Sequence, residues 1–314
     1  MTGVTGPLSP YITPEMLITA PTGISWSTIP AGSGVTPAMR IAEQTNLCAR
    51  ATAQADKYCN QLLRATLDTE IVRGPNFRAT IQVGSRNGRI ILSRWPVTGI
   101  VNVMTAAANQ WPHQWITVPT GLYEPEVPVL GIYGSSAPSD AAEGGQAIIV
   151  APGVINWGSG RQGTILQVQY YNGWPHTGMT VNSTAGDTTI QVDDCTAWAI
   201  TTPFSNVTGA IGTFFDSGQQ EVATVTQTSV TTGPGTLTLA LPLTYAHQAG
   251  TLFSTIPQSV TWGCILFAAA MALARGATST TVQSIPGGAG GGSAKPADFI
   301  KQGEALLAPF RRVI

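Results

Sequence analysis

The sequence predicts an α+β fold, a helical host domain with a small β-sheet, interrupted by an inserted all-β domain of sandwich or barrel type. Three observations carry this. Apolar residues recur at three- and four-residue spacing from Ile41 to Leu62, and a second apolar run spans Val260 to Ala274, so helices bracket the chain. Between them lie short alternating segments bounded by glycine and proline, the pattern of strands. Within that region, residues 179–256 contain Asp and Glu but no Lys or Arg, a shift that marks a separate module.

Taken in order, residues 1–35 read as an arm rich in proline, glycine and threonine, with one short helix started by the Thr13 cap and Pro14. The host domain is expected at 36–178 and 257–314. Thr36-Pro37 opens its long helix, with Ile41, Cys48, Ala51, Ala55, Tyr58, Cys59 and Leu62 on the apolar stripe. LDTEIVRG, FRATIQVG, GRIILSRWPVTGIVNVMTA (broken at Trp95-Pro96), QAIIVAP and TILQVQYYNGW read as strands. The stretch from Asn109 to Trp157 is a loop-heavy, Trp-rich region. In the insertion, TTIQV, GTFF, QEVATVTQ and GTLTLALPL are the expected strands. A buried helix follows from Pro257, ended by Arg275-Gly276. A glycine-rich tract, a short helix near PADFIKQGEALLAP and the tail FRRVI complete the chain.

Composition narrows the function. Of 314 residues only 10% are charged, against about 25% in an average globular protein, and the net charge is -1. About one residue in eight is threonine, which favours strands. The chain is too apolar for disorder and too weakly basic for generic DNA binding. The N-terminus lacks a basic and apolar leader pattern, and the Val260–Ala274 run falls short of the roughly 20 residues that cross a bilayer, so no membrane role is expected. Cys48, Cys59, Cys195 and Cys264 lack metal-ligand spacing and His113, His176 and His247 are scattered, so reduced buried thiols are expected and no metal or other cofactor. GGAGGGSAKP lacks the Gly-Lys-Ser/Thr ending of a phosphate loop. Asp193-Asp194 reads as a solvated turn rather than a carboxylate site. No catalytic arrangement emerges, and no enzyme is expected.

Two features remain as candidate surfaces. Arg73, Arg78, Arg86, Arg89 and Arg94 fall in a span with no acid between Ile71 and Tyr123. They read either as a basic face for phosphates or an acidic partner, or as ordinary solvent-side strand positions. The end Pro309, Phe310, Arg311, Arg312, Val313 and Ile314 is unanchored and reads either as a frayed terminus or, favoured by the glycine-rich spacing upstream, as a docking peptide that orders on a partner.

The order of phrases, ITPEM, the long helix, Leu92-Ser93-Arg94-Trp95-Pro96, Tyr170-Tyr171-Asn172-Gly173, the Pro-initiated apolar helix, and Leu306-Leu307-Ala308-Pro309-Phe310-Arg311-Arg312, resembles the head–tail connector (adaptor, or head-completion) proteins of long-tailed bacteriophages. The resemblance covers nearly the whole host domain. It departs in the shortened first helix, the long Trp-rich loop and the insertion. It implies a virion protein, made in the bacterial host cytoplasm, that forms a ring of about twelve copies beneath the portal protein. Such a ring extends the DNA channel, lets genomic DNA pass without sequence-specific binding, and meets a downstream tail or head-completion protein. The C-terminal tail would then reach into the portal. The arginines of the 73–94 span would meet neighbouring copies, forming an inter-subunit basic face. The competing reading is a carbohydrate-binding or decoration-type β protein of a virion or cell surface, using its exposed tryptophans.

Overall fold

The computed structural model describes residues 9–30, 34–73, 88–125, 147–151, 154, 164–199, 209–277 and 295–312. The fold is mixed α+β. Helix α1 (Pro14–Thr19) and helix α2 (Pro37–Cys59) both start as the sequence indicates. The Thr13 and Thr36 hydroxyls accept from the Met16 and Met39 amides, and proline occupies the first helical turn. Asn60 ends α2 in the left-handed region at φ 55°. The buried face of α2 begins only at Gln44 and runs through Leu47, Cys48, Ala51, Thr52, Ala55 and Cys59. Its first turns project from the core, leaving Met39 and Ile41 exposed.

The strands of the host are β1 (Thr66–Arg73), β2 (Gly88–Ile91), β3 (Val97–Ala107), β4 (Ile116–Thr117), β5 (Tyr123–Pro125), β6 (Ala147–Val150) and β7 (Thr164–Asn172). They form two antiparallel sheets rather than one: a four-stranded sheet in the order β1-β7-β3-β4 and a three-stranded sheet in the order β2-β6-β5. Ile90, Val97, Ile100, Val103, Ile148, Val150, Leu166, Val168 and Tyr170 form one buried cluster drawn from both sheets. The expected strand FRATIQVG lies outside the described residues.

Strands β8 (His176–Gly178), β9 (Thr189–Val192), β10 (Ile211–Phe215), β11 (Val222–Thr228), β12 (Gly235–Leu239) and β13 (Leu252–Ser254) make a six-stranded sheet in the order β8-β13-β10-β11-β12-β9. It starts at His176, ahead of the expected boundary at 179. The sheet curls into a half-barrel whose edges approach through a Met179–Val192 bridge and a 3.0 Å bond from the Thr180 amide to the Gln191 carbonyl. Trp198, Phe214 and Phe253 stack inside it, with ring centroids 4.3 Å apart for each neighbouring pair.

Helix α3 (Gln258–Ala274) is almost wholly buried, and helix α4 (Pro296–Leu307) crosses it closely. A Cβ on Gly303 would press into the Phe267 ring, and one on Gly263 would touch Leu307, so the two glycines permit the approach. Among the described residues no helix is long and apolar enough to cross a membrane. The helical core joins α2, α3 and α4 to Tyr11, Ile12, Leu17, Ile24, Trp26 and Ile29. The expected arm is therefore, over residues 9–30, part of the core, and burying each of its large side chains contributes about 1.5–3 kcal/mol.

The glycine that joins host to half-barrel has no substitute. Gly173 sits at φ 81°, its amide donates to the Pro96 carbonyl at 2.9 Å, and any Cβ would collide with the Arg64 carbonyl. Gly173→Ala is expected to lower unfolding free energy by about 2 kcal/mol or more, measured by urea titration of the purified chain.

Candidate functional site

Two of the phrases singled out in the sequence meet in space, beside the residue that follows a third. Trp95, from the Leu92–Pro96 phrase, lies parallel to Phe310 of the C-terminal phrase, with ring centroids 6.3 Å apart. Trp174, next to the Gly173 turn, meets both rings edge-on, at 6.0 Å from Trp95 and 5.5 Å from Phe310. Gln61, just past α2, binds the group together: its amide donates to the Phe310 carbonyl at 3.0 Å, and its oxygen accepts from the Trp95 amide at 3.4 Å.

A second layer of hydrogen bonds lies beside this aromatic junction. Asp68 on β1 pairs with Arg94 at 3.1 Å and accepts from the Asn172 side chain at 2.7 Å. Glu70, two residues on, accepts from the Ser93 amide at 2.8 Å and from the Tyr170 hydroxyl at 3.0 Å. Burial pushes the Tyr170 phenol up, and the facing Glu70 adds to the shift, so the hydroxyl keeps its proton and donates.

Pro309 to Arg312 are held against the body of the fold, where the sequence suggested an unanchored segment. Pro309 lies in a short 3-10 turn and Phe310 is 2% exposed. The Arg312 amide donates to the Cys59 carbonyl at 2.8 Å, and the Arg311 guanidinium lies 5.7 Å from the Tyr58 ring centre. Val313 and Ile314 lie outside the described residues. Of the five arginines, Arg94 is paired within its own chain. Arg73 ends β1 opposite Ile165 of the four-stranded sheet, and Arg89 stands on β2 opposite Ile149 of the other sheet. Arg78 and Arg86 lie outside the described residues.

Asp193 and Asp194 are no solvated turn. Asp193 accepts from the Ser9 amide and hydroxyl at 3.1 and 2.6 Å, the Thr177 hydroxyl at 2.6 Å and the Gly178 amide at 2.8 Å. Asp194, 6% exposed, accepts from the Thr196 amide and hydroxyl and from the Gly233 amide. Asp187 caps the Thr184 amide at 2.7 Å. The buried His247 ring, stacked on Phe214, bridges Asp216 at 3.2 Å and Glu221 at 2.8 Å. Burial pushes the Glu221 carboxyl up, but bonds from Thr244, His247 and Tyr245 outweigh it and hold the group below its usual range. All five carboxylates of the acid-only module are thus engaged inside it or with the arm.

Sequence reasoning missed the arm's own role. The Tyr11 amide donates to the Thr52 hydroxyl at 2.9 Å. The Tyr11 hydroxyl donates to Asp56 at 2.7 Å and accepts from the Leu63 and Arg64 amides. Desolvation holds the Tyr11 phenol well above its ordinary range, and burial also raises Asp56. His176 spans the Pro10 carbonyl at 3.0 Å and the Ser254 hydroxyl at 2.8 Å. A carbonyl only accepts, so Nε2 carries the proton and Nδ1 accepts from Ser254. Burial lowers this imidazole to about 4.

Among the described residues no group of His, Cys, Asp or Glu is placed to hold a metal ion. All four cysteines are unpaired and buried, and desolvation lifts Cys48, Cys59 and Cys195 to about 12, where the reactive thiolate is suppressed. A cavity of about 490 Å³ opens between α1, the β10–β11 turn and α3. Comparison with known protein families, curated proteins and solved structures finds no match.

Two stability outcomes are expected from these contacts. Phe310→Ala should cost about 3–5 kcal/mol in denaturant unfolding, since it empties the space between two tryptophans. For His176 the folded-state value near 4 lies below the ordinary 6.5, so its contribution is complete above pH 6.5 and lost as pH falls towards 4. Unfolding free energy of the wild type should drop by about 3 kcal/mol over that window relative to His176→Gln, whose own curve lacks this component.

Proposed function

We propose that this chain is the subunit of a head–tail adaptor ring of a long-tailed bacteriophage virion. In this reading neighbouring copies close a ring of about twelve beneath the portal protein. The ring extends the DNA channel and offers its far side to a downstream tail or head-completion protein. The observation that supports it best is the aromatic junction. Trp95 of the 92–96 phrase and Phe310 of the 306–312 phrase, far apart in the chain, meet on Trp174, the residue that follows the 170–173 phrase. A set of unrelated short matches has no reason to share one contact.

Charge supports the same reading. A subunit held between two neighbours and two axial partners needs few solvated charges, and this chain has 10%. A conduit for DNA also works better with few free cations, because each neutralised phosphate adds affinity and holds the strand. The inter-subunit basic face keeps Arg73, Arg78, Arg86 and Arg89 as its candidates, with Arg94 committed to Asp68. The portal-docking segment is narrowed to the residues beyond the Phe310 anchor.

A second reading keeps one observation of its own. Trp111 is 83% exposed on the β3–β4 hairpin, as a sugar-stacking residue of a carbohydrate-binding or decoration protein would be. Electron microscopy of the purified chain mixed with portal protein separates the two. A ring stacked on the portal supports the adaptor, and retention on a glycan column with no ring supports the other. For the tail, a chain ending at Phe310 should keep its fold, losing about 1 kcal/mol with the Arg312 bond, yet lose portal binding. Unchanged portal binding by that truncated chain rejects the docking role.

A further inference from the structure

The β3–β4 hairpin carries an exposed apolar knob. Trp111 is 83% and Ile116 69% exposed. The linking residues 108–115 include no carboxylate. Trp111 and Trp115 meet His113 edge-on at 5.1 and 5.8 Å, and both His113 ring nitrogens are buried with no hydrogen-bond partner. The tip therefore presents an indole donor over an imidazole that its own hairpin leaves unsatisfied, a costly arrangement in an isolated chain.

A hole of suitable chemistry lies elsewhere on the same chain. The cavity of about 490 Å³ is lined by apolar Met16, Trp262 and Ile265 and by the acceptors Glu15 and Asp216, and among the described residues no Lys or Arg lines it. Its volume is in the range that encloses a bulky group, roughly 300–1,000 Å³. Knob and hole belong to different parts of the fold, the hairpin to the four-stranded sheet and the cavity to the junction of α1, α3 and the half-barrel. A contact between unlike patches of identical subunits is head-to-tail and builds rings or filaments.

We propose that the Trp111 hairpin of one copy seats in the cavity of the next, a head-to-tail contact that rests on the ring reading and names the surfaces that form it. A donor-bearing tip free of carboxylates enters a hole that bears carboxylates and no cation. The indole N–H finds Glu15 or Asp216, and its faces pack on Trp262 and Met16. A tryptophan buries about 150–250 Å², while a standard interface takes about 800 Å² per partner, so Trp111 is the centre of a wider face.

The test is sedimentation velocity on the full chain, with thermal melting to confirm that each variant folds. Trp111→Ala removes the knob. Thr19→Arg lays a cation across the hole, and Gln258→Arg is the replacement should Thr19→Arg fail to fold. Each variant alone should self-associate roughly 30-fold more weakly than wild type. A mixture of knob and hole variants should form a discrete dimer and stop there, because each pair retains one intact contact. Variants that assemble like the wild type, a mixture that stays monomeric, or a wild type that never self-associates each overturn the contact. So does glycan-column retention that Trp111→Ala abolishes, which would give the residue to sugar. Rings on portal formed by Trp111→Ala would remove this contact while leaving the adaptor reading intact.

Discussion

Ser9, Pro10 and Tyr11 tie the two halves of this chain together. Ser9 donates twice to Asp193, Pro10 accepts from His176, and Tyr11 reaches Thr52 and Asp56 on α2. The half-barrel hangs from the host by two chain crossings, one at the Gly173 turn and one where β13 runs into α3. Ala197 also packs with Ala65 and Tyr171 of the host, and three consecutive arm residues add a polar clasp between the two halves. Side-chain ordering along one short strap is cheap because Pro10 is already restricted and Tyr11 is fully packed. The clasp is also selective in its protonation state. Tyr11 must donate to Asp56, and His176 must present a bare Nδ1 to Ser254; desolvation favours the neutral form of both donor rings.

The same economy governs charge. A module with five carboxylates and no Lys or Arg looks from its sequence like an acidic surface. In the fold its carboxylates accept from backbone amides, hydroxyls and one histidine, so hydrogen-bond donors of the chain itself take the place of cations. What remains outward is largely threonine, glutamine and isolated apolar groups such as Val222 and Leu241. A surface of this kind neither repels a neighbour strongly nor draws in nucleic acid, which suits the assembly role proposed above.

Helices with a cap and a period were legible in the sequence, and so were strands of four or more alternating residues. Thr13-Pro14 and Thr36-Pro37 mark helix starts because cap chemistry is local. The arm was not legible, because Tyr11, Ile12, Leu17, Ile24, Trp26 and Ile29 follow no period and their burial is decided by α2 and α3. Strands β8 and β13, three residues each, are too short to alternate. Asp193 and Asp194 were misread for a related reason: their donors at Ser9, Thr177, Thr196 and Gly233 are mostly remote, and no spacing rule points to them. The aromatic junction was half legible. The phrases that hold Trp95 and Phe310 stood out, but that they meet on Trp174 is a property of the folded chain.

The anchoring of Phe310 changes what a partner at the C-terminus would encounter. A free peptide loses backbone and side-chain freedom when it docks, about 1–2 kcal/mol for each residue it fixes. Here the fold has already fixed the chain as far as the Arg312 amide, so a partner at that end would have fewer residues to order. The anchor also connects that end to the rest of the molecule. A force on the tail loads Phe310, which lies on Trp95 and Trp174, and Trp174 comes directly after the glycine that roots the half-barrel. A partner bound at the C-terminus, as proposed above, would therefore act on the same few rings that lie beside the root of the half-barrel. Densely packed contacts of this kind transmit displacement rather than absorb it.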